Sequence, residues 1–309
     1  MPIEFKVSIL PHKRKRTGIQ NIMNPDVVVL FYNRETGIQS NQEMPMNYPG
    51  RNIRKGEQDA QIVRALKEQL NLMLSIGDDP SLRLDPDNPS FGDKMVRTVK
   101  LFQARHVDAE GRPLKQDGQI GSLTWAALFG PDSVVSSDKA PNEYLSSVLF
   151  QASEAELRKV REVPVNSNRG PEVEEYLHRV GVPPGNSWCC AFVYWCFDEA
   201  AKSAGRSNPM VKTAGCLDHW NRAKTNGALR IASKDAVNSP ALVLPGMVFI
   251  MDHGAGKGHT GFIERVEGGL ITTIEGNTDA SKTREGGGVY RLTRKIVEVN
   301  KGFIDYSGV

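Results

Sequence analysis

The sequence lacks the patterns that mark a structural metal site or a disulfide framework. Its 309 residues contain four cysteines, at positions 189, 190, 196 and 216, and none belongs to a CxxC pair. No HxxxH pattern accompanies them, whereas zinc sites and cysteine-rich scaffolds depend on such spacing. We therefore expect a set of reduced thiols, one of them reactive, and no metal or organic cofactor.

Long apolar stretches are also missing. No window approaches the roughly 18 apolar residues that a membrane-spanning helix needs, so no membrane span is expected. Residues 12–16 form a basic cluster, but no apolar stretch typical of a secretory signal peptide follows it. We expect synthesis in the cytoplasm without a Sec signal peptide, and we interpret the cluster as a solvated turn.

Neither sign of charge is in large excess. The chain has 39 Lys and Arg against 36 Asp and Glu, which gives a formal net charge of +3. A charge this small does not indicate a nucleic-acid partner. Hydrophobic residues make up 39% and charged residues 24%, as in ordinary globular proteins, and the length is sufficient for two domains.

The pattern along the chain predicts four segments: residues 1–55, 56–131, 132–141 and 142–309. The first is an extension with strand-like stretches at 3–10 and 26–32 and no recognisable chemistry. The second has apolar residues at helical spacing and predicts three helices, the last over 122–129 with Ser122 or Thr124 as its cap. The third is rich in Ser, Asp and Pro, as linkers are. The fourth predicts helices followed by antiparallel strands, so the fold class is α+β.

The first candidate for chemistry is Cys189, in the run WCCAFV at 188–193. It opens an apolar helix predicted to end near residue 204. One hypothesis makes Cys189 another core position, since free cysteine is often buried. The other makes it a nucleophile, because a helix N-terminus lowers the pKa of a thiol placed there. Cys190 is the rival nucleophile, about 100° further round the helix.

A base for this thiol is predicted from a hairpin near the end of the chain. Strands at 260–266 and 270–275 are joined by a Glu-Gly-Gly turn, so their outer ends lie close together. These ends carry His259 and the pair Glu275 and Asn277. Either of the latter can orient the imidazole, as catalytic histidines require.

Other polar and aromatic residues are weaker candidates. His253 competes as the base but lies in a glycine-rich loop. Trp188, His219 and Trp220 are candidates for binding substrate beside the nucleophile. For His219 and Trp220 a surface position is an equally good interpretation.

Two resemblances to known families follow from these motifs. The runs FG at 91–92, VRTVKLFQ at 96–103 and DGQIGSLTWAAL at 117–128 resemble the peptidoglycan-binding type 1 domain over about residues 57–130. This resemblance implies affinity for the cell wall.

The second resemblance rests on NRGP at 168–171, WCCAFV at 188–193, PG at 245–246, GHTGF at 258–262 and EGN at 275–277. These runs are similar to the CHAP family of cysteine peptidoglycan hydrolases, part of the NlpC/P60, papain-like group, over about residues 145–306. The family motifs place its cysteine at Cys189, its histidine at His259 and its E-x-N positions at Glu275 and Asn277. The implied fold is papain-like, with helices packed on an antiparallel sheet.

Together the resemblances predict a hydrolase that cuts an amide bond of peptidoglycan, as amidase or endopeptidase, in a lysin or a secreted antibacterial effector. Two alternatives stay open: a papain-like enzyme on a non-wall amide, and a wall-binding protein whose catalytic residues are idle. The expected site of action is the periplasm or the extracellular wall, reached by non-Sec export or lysis. Besides peptidoglycan, a secretion apparatus and an immunity protein are considered as partners.

Overall fold

The computed structural model describes residues 46–76, 81–283 and 286–309. The strand-like stretches predicted at 3–10 and 26–32 lie outside these residues. Residues 47–309 form one unit by their contacts. The division at 131 and 141 stays a prediction.

Three helices occupy the first part of the described chain: α1 (Ala60–Met73), α2 (Asp93–Arg105) and α3 (Ser122–Phe129). Helix α1 begins where the Asp59 carboxylate accepts hydrogen bonds from two backbone N–H groups of its first turn. The predicted cap of α3 is wrong. Gly121 occupies the N-cap, and Ser122 is the first helical residue, buried against Gly269.

The motif residues of the runs at 96–103 and 117–128 form a hydrogen-bonded network inside this part of the chain. Gln103 Nε2 donates to the carbonyl of Gln119 at 2.7 Å, and Gln103 Oε1 accepts from the N–H of Gly118 at 2.9 Å. Gly118 has φ +76°, and a Cβ there would lie 2.7 Å from Val96. Trp125 is fully buried. The motif therefore fixes the turn between α2 and α3.

Five helices follow: α4 (Glu143–Leu157), α5 (Pro171–Arg179), α6 (Cys189–Ser203), α7 (Cys216–Arg222) and α8 (Ser233–Asn238). Helix α4 is capped by Asn142, whose side chain accepts from the N–H of Leu145. Helix α5 starts at Pro171, the position where a missing N–H costs nothing. Helix α6 is buried along nearly its whole length.

The strands are β1 (Leu229–Ala232), β2 (Val248–Gly254), β3 (Lys257–Glu267), β4 (Leu270–Thr278), β5 (Gly288–Lys295) and β6 (Gly302–Asp305). They form one antiparallel sheet in the order β1-β6-β2-β3-β4-β5. The β3–β4 hairpin turns at Gly268 and Gly269, both with positive φ, as predicted for this turn.

The sheet and the helices enclose two cores. Helices α4 and α6 pack on one face of the sheet, with Phe192 and Phe197 of α6 against Phe262 of β3, and α5 packs on α6. The other core includes Phe249 and Phe303 and involves α8. The predicted α+β class, with helices before an antiparallel sheet, is confirmed.

Loops of the first part contact the sheet directly. Lys295 at the end of β5 pairs with the buried Asp108 at 3.2 Å and donates to the carbonyl of Pro113. Ser137 exchanges two backbone hydrogen bonds with Val266 of β3, each 2.8 Å long. The predicted linker 132–141 is therefore bonded to the sheet. None of the helices in the described ranges is long and apolar enough to cross a membrane.

Gly276 tests the packing of α6 on β4. A Cβ at this position would lie 2.8 Å from Trp188 Cζ3 and 2.9 Å from Phe192 Cδ1. We expect Gly276→Ala to lower the free energy of unfolding by about 1–3 kcal/mol, measured by urea denaturation, because the helix must shift. Gly308→Ala is the control, since its Cβ meets nothing within 4 Å. Equal stability of the two variants would contradict the close packing.

Candidate active site

Cys189 is the first residue of α6, directly after Trp188 at the N-cap. The N-cap residue makes no side-chain capping hydrogen bond, and the first N–H groups of the helix have no partner within the helix itself. Trp188 is held in place because its Nε1 donates to the buried carboxylate of Glu162 at 2.8 Å. Only 3% of Cys189 is exposed. Cys189 is therefore buried, as the first hypothesis expects, and it also lies at a helix N-terminus, as the second requires.

His259 and Glu275 form a buried pair across the predicted hairpin. The Nε2 atom of His259, on β3, lies 2.8 Å from Oε2 of Glu275, on β4. The exposed fractions are 2% for His259 and 0% for Glu275. With Nε2 engaged by the carboxylate, Nδ1 is the ring nitrogen left for another partner, and no hydrogen bond to it is present among the described residues.

Glu275 is fixed by more than the histidine. Arg294 of β5 donates from Nε to Oε1 at 2.6 Å and from Nη2 to Oε2 at 2.7 Å, a bidentate pair. Thr273 donates its hydroxyl to Oε1 at 2.5 Å. A Cβ on Gly261 would lie 2.8 Å from Glu275 Cγ, so glycine is required at this position of β3.

These contacts set the ionisation of the pair. Burial raises the pKa of Glu275, but Arg294 and His259 outweigh it and lower that pKa to about 2. Burial lowers the pKa of His259, whereas Cys189 and Glu275 raise it, to about 9. At neutral pH the site therefore contains a carboxylate, a guanidinium and an imidazolium.

The thiol of Cys189 interacts with His259 and with a second cysteine. Cys216, the first residue of α7, places its Sγ 3.5 Å from Sγ of Cys189. This contact and burial raise the pKa of the Cys189 thiol, and His259 opposes them. His259 thus favours the thiolate that a nucleophile needs, and Cys216 disfavours it.

Asn277, the other predicted orienter, does not bond to His259. It is buried with φ +56°, and neither atom of its amide group has a hydrogen-bond partner among the described residues. Glu275 is the residue that contacts the imidazole. The catalytic assignment of Cys189, His259, Glu275 and Asn277 stays a prediction.

The residues predicted to bind substrate lie in or near the core. Trp188 is fully buried beside Tyr176. His219 is fully buried and bonds Tyr306 through Nε2 at 2.7 Å, and burial lowers its pKa to about 3. Trp220 is partly buried next to Gly302 of β6. Neither Trp188 nor His219 offers surface to a substrate. The rival base His253 lies in the exposed end of β2.

Three residues of the site are missing from the sequence-based prediction: Arg294, Thr273 and Cys216. Arg294 lies opposite Ile271, and its side chain runs along the strands past Thr273 to Glu275. The available signal is an arginine at a buried position of β5, on the same face as Leu292. Cys216 carries no sequence signal, since only the fold brings it to Cys189.

The site as a whole has the arrangement of thiol hydrolases: a cysteine at a helix start, an imidazole beside it and a carboxylate that orients the imidazole. Residues 181–277 match the CHAP domain family, a match that contains Cys189, His259, Glu275 and Asn277 and ends before Arg294. CHAP domains are generally hydrolytic, so the match supports a CHAP-family protein and, at a general level, an amidase-type peptidoglycan hydrolase. Comparison with curated proteins and with solved structures gives no match. Among the described residues no cluster of His, Cys, Asp and Glu is arranged to hold a metal ion.

The Arg294–Glu275 pair predicts a large loss of stability when the arginine is removed. Arg294→Met leaves a buried carboxylate without its main partner, and we expect a cost of about 3–5 kcal/mol in urea denaturation. Arg291→Met, on the same strand, removes exposed pairs with Glu264 and Glu156 and should cost about 1 kcal/mol or less. Arg294→Lys, which keeps the charge but not the bidentate geometry, should fall between them. A smaller loss for Arg294→Met than for Arg291→Met is the contrary result.

The raised pKa of His259 predicts a pH dependence of stability. Because the folded pKa of about 9 exceeds the ordinary value of 6.5, protonation of His259 stabilises the fold fully below pH 6.5, and this contribution is lost as the pH rises through about 9. We expect the wild type to lose more stability than His259→Gln between these pH values, in denaturant titrations at each pH. Parallel curves for the two proteins would show that His259 is not charged in the folded state.

Proposed function

We propose that this chain is a cell-wall hydrolase that cleaves an amide bond of peptidoglycan with Cys189 as nucleophile. The observation that carries the proposal is the buried His259–Glu275 pair beside Cys189 at the start of α6. A buried, oriented imidazole next to a thiol is costly to maintain for structure alone, because burial of charged groups is unfavourable. The CHAP match supplies the substrate class.

In the proposed mechanism Cys189 reacts as its thiolate, which the imidazolium of His259 favours, and Sγ attacks the amide carbonyl carbon. The first N–H groups of α6 stabilise the oxyanion of the tetrahedral intermediate. His259 then protonates the leaving amine, and a thioester remains on Cys189. A water molecule then attacks the thioester and gives its proton to His259, the C–S bond breaks, and the acid product leaves a thiolate on Cys189 beside the imidazolium.

Glu275 orients the imidazole by engaging Nε2, which leaves Nδ1 as the nitrogen that serves Cys189 and the substrate in this proposal. It also stabilises the imidazolium form of His259. Arg294 and Thr273 hold Glu275 from the other side. Their contacts prevent the carboxylate from taking the proton itself, because its pKa stays near 2. Asn277, the asparagine of the E-x-N motif, remains a predicted catalytic residue, and this mechanism assigns no step to it.

We further propose that the helical part, residues 56–131, contributes affinity for the wall. Three motif residues make their contacts inside the fold and so stabilise it: Gln103, Gly118 and Trp125. In this proposal the exposed residues around them contact the wall. Binding an insoluble polymer raises the effective concentration of a tethered active site. Action in the periplasm or the outer wall, as a lysin or a secreted effector, belongs to the same proposal.

The test is mass spectrometry of the fragments that wild type and Cys189→Ala release from purified peptidoglycan. Free stem peptides from the wild type identify an amidase, and cleaved stems or bridges identify an endopeptidase. We expect Cys189→Ala to release neither, since the thiol is removed with little change in volume. Cys196→Ala is the matched control: it removes a buried thiol from the same helix without touching His259, and should remain active.

The same full-length Cys189→Ala protein should still sediment with peptidoglycan sacculi. Sedimentation without fragment release by any of the proteins would favour a wall-binding protein whose site is idle. Absence of both sedimentation and release, on several wall types, would favour an amide substrate outside the wall. Release by Cys189→Ala at the wild-type rate would remove Cys189 from the mechanism.

A further inference from the structure

Two of the four cysteines are distinguished by their surroundings. All four are free thiols. Cys190 and Cys196 have no exposed surface, whereas Cys189 is 3% and Cys216 is 6% exposed. Cys189 and Cys216 are thus the two cysteines that retain some exposed surface, and their sulfur atoms lie together.

The two sulfur atoms are already close to bonding distance. Sγ of Cys189 and Sγ of Cys216 are 3.5 Å apart, and a disulfide requires about 2.05 Å. Each cysteine is the first residue of its helix, α6 and α7 respectively, so both thiols lie at helix N-termini. Closing the gap needs the two sulfur atoms to approach each other by about 1.5 Å.

We propose that Cys189 and Cys216 form a redox-active dithiol that a peroxide converts to a disulfide and a thiol reductant restores. The consequence for activity rests on the proposed function, because it takes Cys189 as the nucleophile. The disulfide itself does not depend on that function. Cys216 is then the resolving thiol of the active site.

The chemistry balances with hydrogen peroxide as the oxidant. The Cys189 thiolate attacks one peroxide oxygen, the O–O bond breaks, and the hydroxide released takes a proton to become water, which leaves a sulfenic acid on Cys189. Sγ of Cys216 then attacks Sγ of Cys189, the S–O bond breaks, and the departing hydroxide takes the Cys216 proton. Two thiols lose two electrons and two protons, and one peroxide becomes two water molecules.

The position of Cys216 explains why it would capture the sulfenic acid before a second oxidation. A sulfenic acid that meets a neighbouring thiol condenses with it, whereas an isolated one proceeds to sulfinic acid, which thiol reductants do not reverse. His259 lowers the pKa of Cys189 and so favours its thiolate, the form that reacts with peroxide. The resulting bond occupies the nucleophile and fixes the start of α7 against the start of α6.

The first experiment detects the bond in the wild-type protein. The full chain is treated with hydrogen peroxide, free thiols are alkylated, and the protein is digested with trypsin without reduction. Cleavage at Arg179, Lys202, Lys212 and Arg222 gives peptides 180–202 and 213–222, which contain Cys189 and Cys216. We expect a cross-linked species of these two peptides that disappears after dithiothreitol. Its absence at every peroxide concentration that inactivates the protein would overturn the proposal.

Peptide 180–202 also contains Cys190 and Cys196, so single variants assign the bond. Cys190→Ser and Cys196→Ser should keep the cross-link, and Cys189→Ser and Cys216→Ser should lose it. Cys190 is the informative control, because it too lies close enough to raise the pKa of Cys216. A cross-link that survives Cys189→Ser and fails in Cys190→Ser would transfer the bond to Cys190 and contradict the proposal.

Reversibility of activity is the second measurement. After peroxide and then dithiothreitol, the wild type should regain most of its peptidoglycan-hydrolysing activity. Cys216→Ser should regain less than about a tenth of the activity that the same variant has before treatment, because its Cys189 proceeds to sulfinic acid. Equal recovery in both proteins would overturn the protective role of Cys216. A cross-link in a wild type that never hydrolyses peptidoglycan would uphold the dithiol and reject the proposed function.

Discussion

The buried carboxylate of Glu275 is the constraint on which the rest of the site depends. A charge at this depth is tolerated only if its hydrogen-bonding capacity is filled by well-placed donors. Arg294 supplies two, Thr273 one, and His259 the fourth. Gly261 supplies the space. Three neighbouring strands, β3, β4 and β5, must therefore keep one register for the imidazole to stand beside Cys189.

Much of this arrangement is predictable from the sequence because it is local. The apolar periodicity gives α6 with Cys189 at its start, and the Glu-Gly-Gly turn gives the hairpin that joins His259 to Glu275. The choice between Glu275 and Asn277 is not predictable, since both lie near the hairpin end and only the bulge after Glu275 decides which faces the ring. The prediction that Ser122 or Thr124 caps α3 is wrong, because Ser122 packs against Gly269 as part of the helix.

Long-range contacts carry what the sequence could not predict. Arg294 reaches Glu275 from another strand, and Cys216 reaches Cys189 from another helix. Neither contact has a fixed spacing in sequence, so no periodicity reports it. The helical part differs, because its motif is easy to recognise in the sequence. Its residues Gln103 and Gly118 bond to each other, however, and so stabilise a turn inside the fold. A motif can thus predict how a segment folds more securely than it predicts what the folded segment binds.

Two adjacent residues of β5 point to opposite faces of the sheet and bind different carboxylates. Arg294 turns inward to Glu275, and Lys295 turns the other way to Asp108 and the turn that ends at Pro113. Because side chains alternate along a strand, a slip of one residue would exchange their directions. The carboxylate would lose its guanidinium, and the helical part would lose its ammonium, in the same step. We therefore expect β5 not to tolerate the insertion or deletion of a single residue.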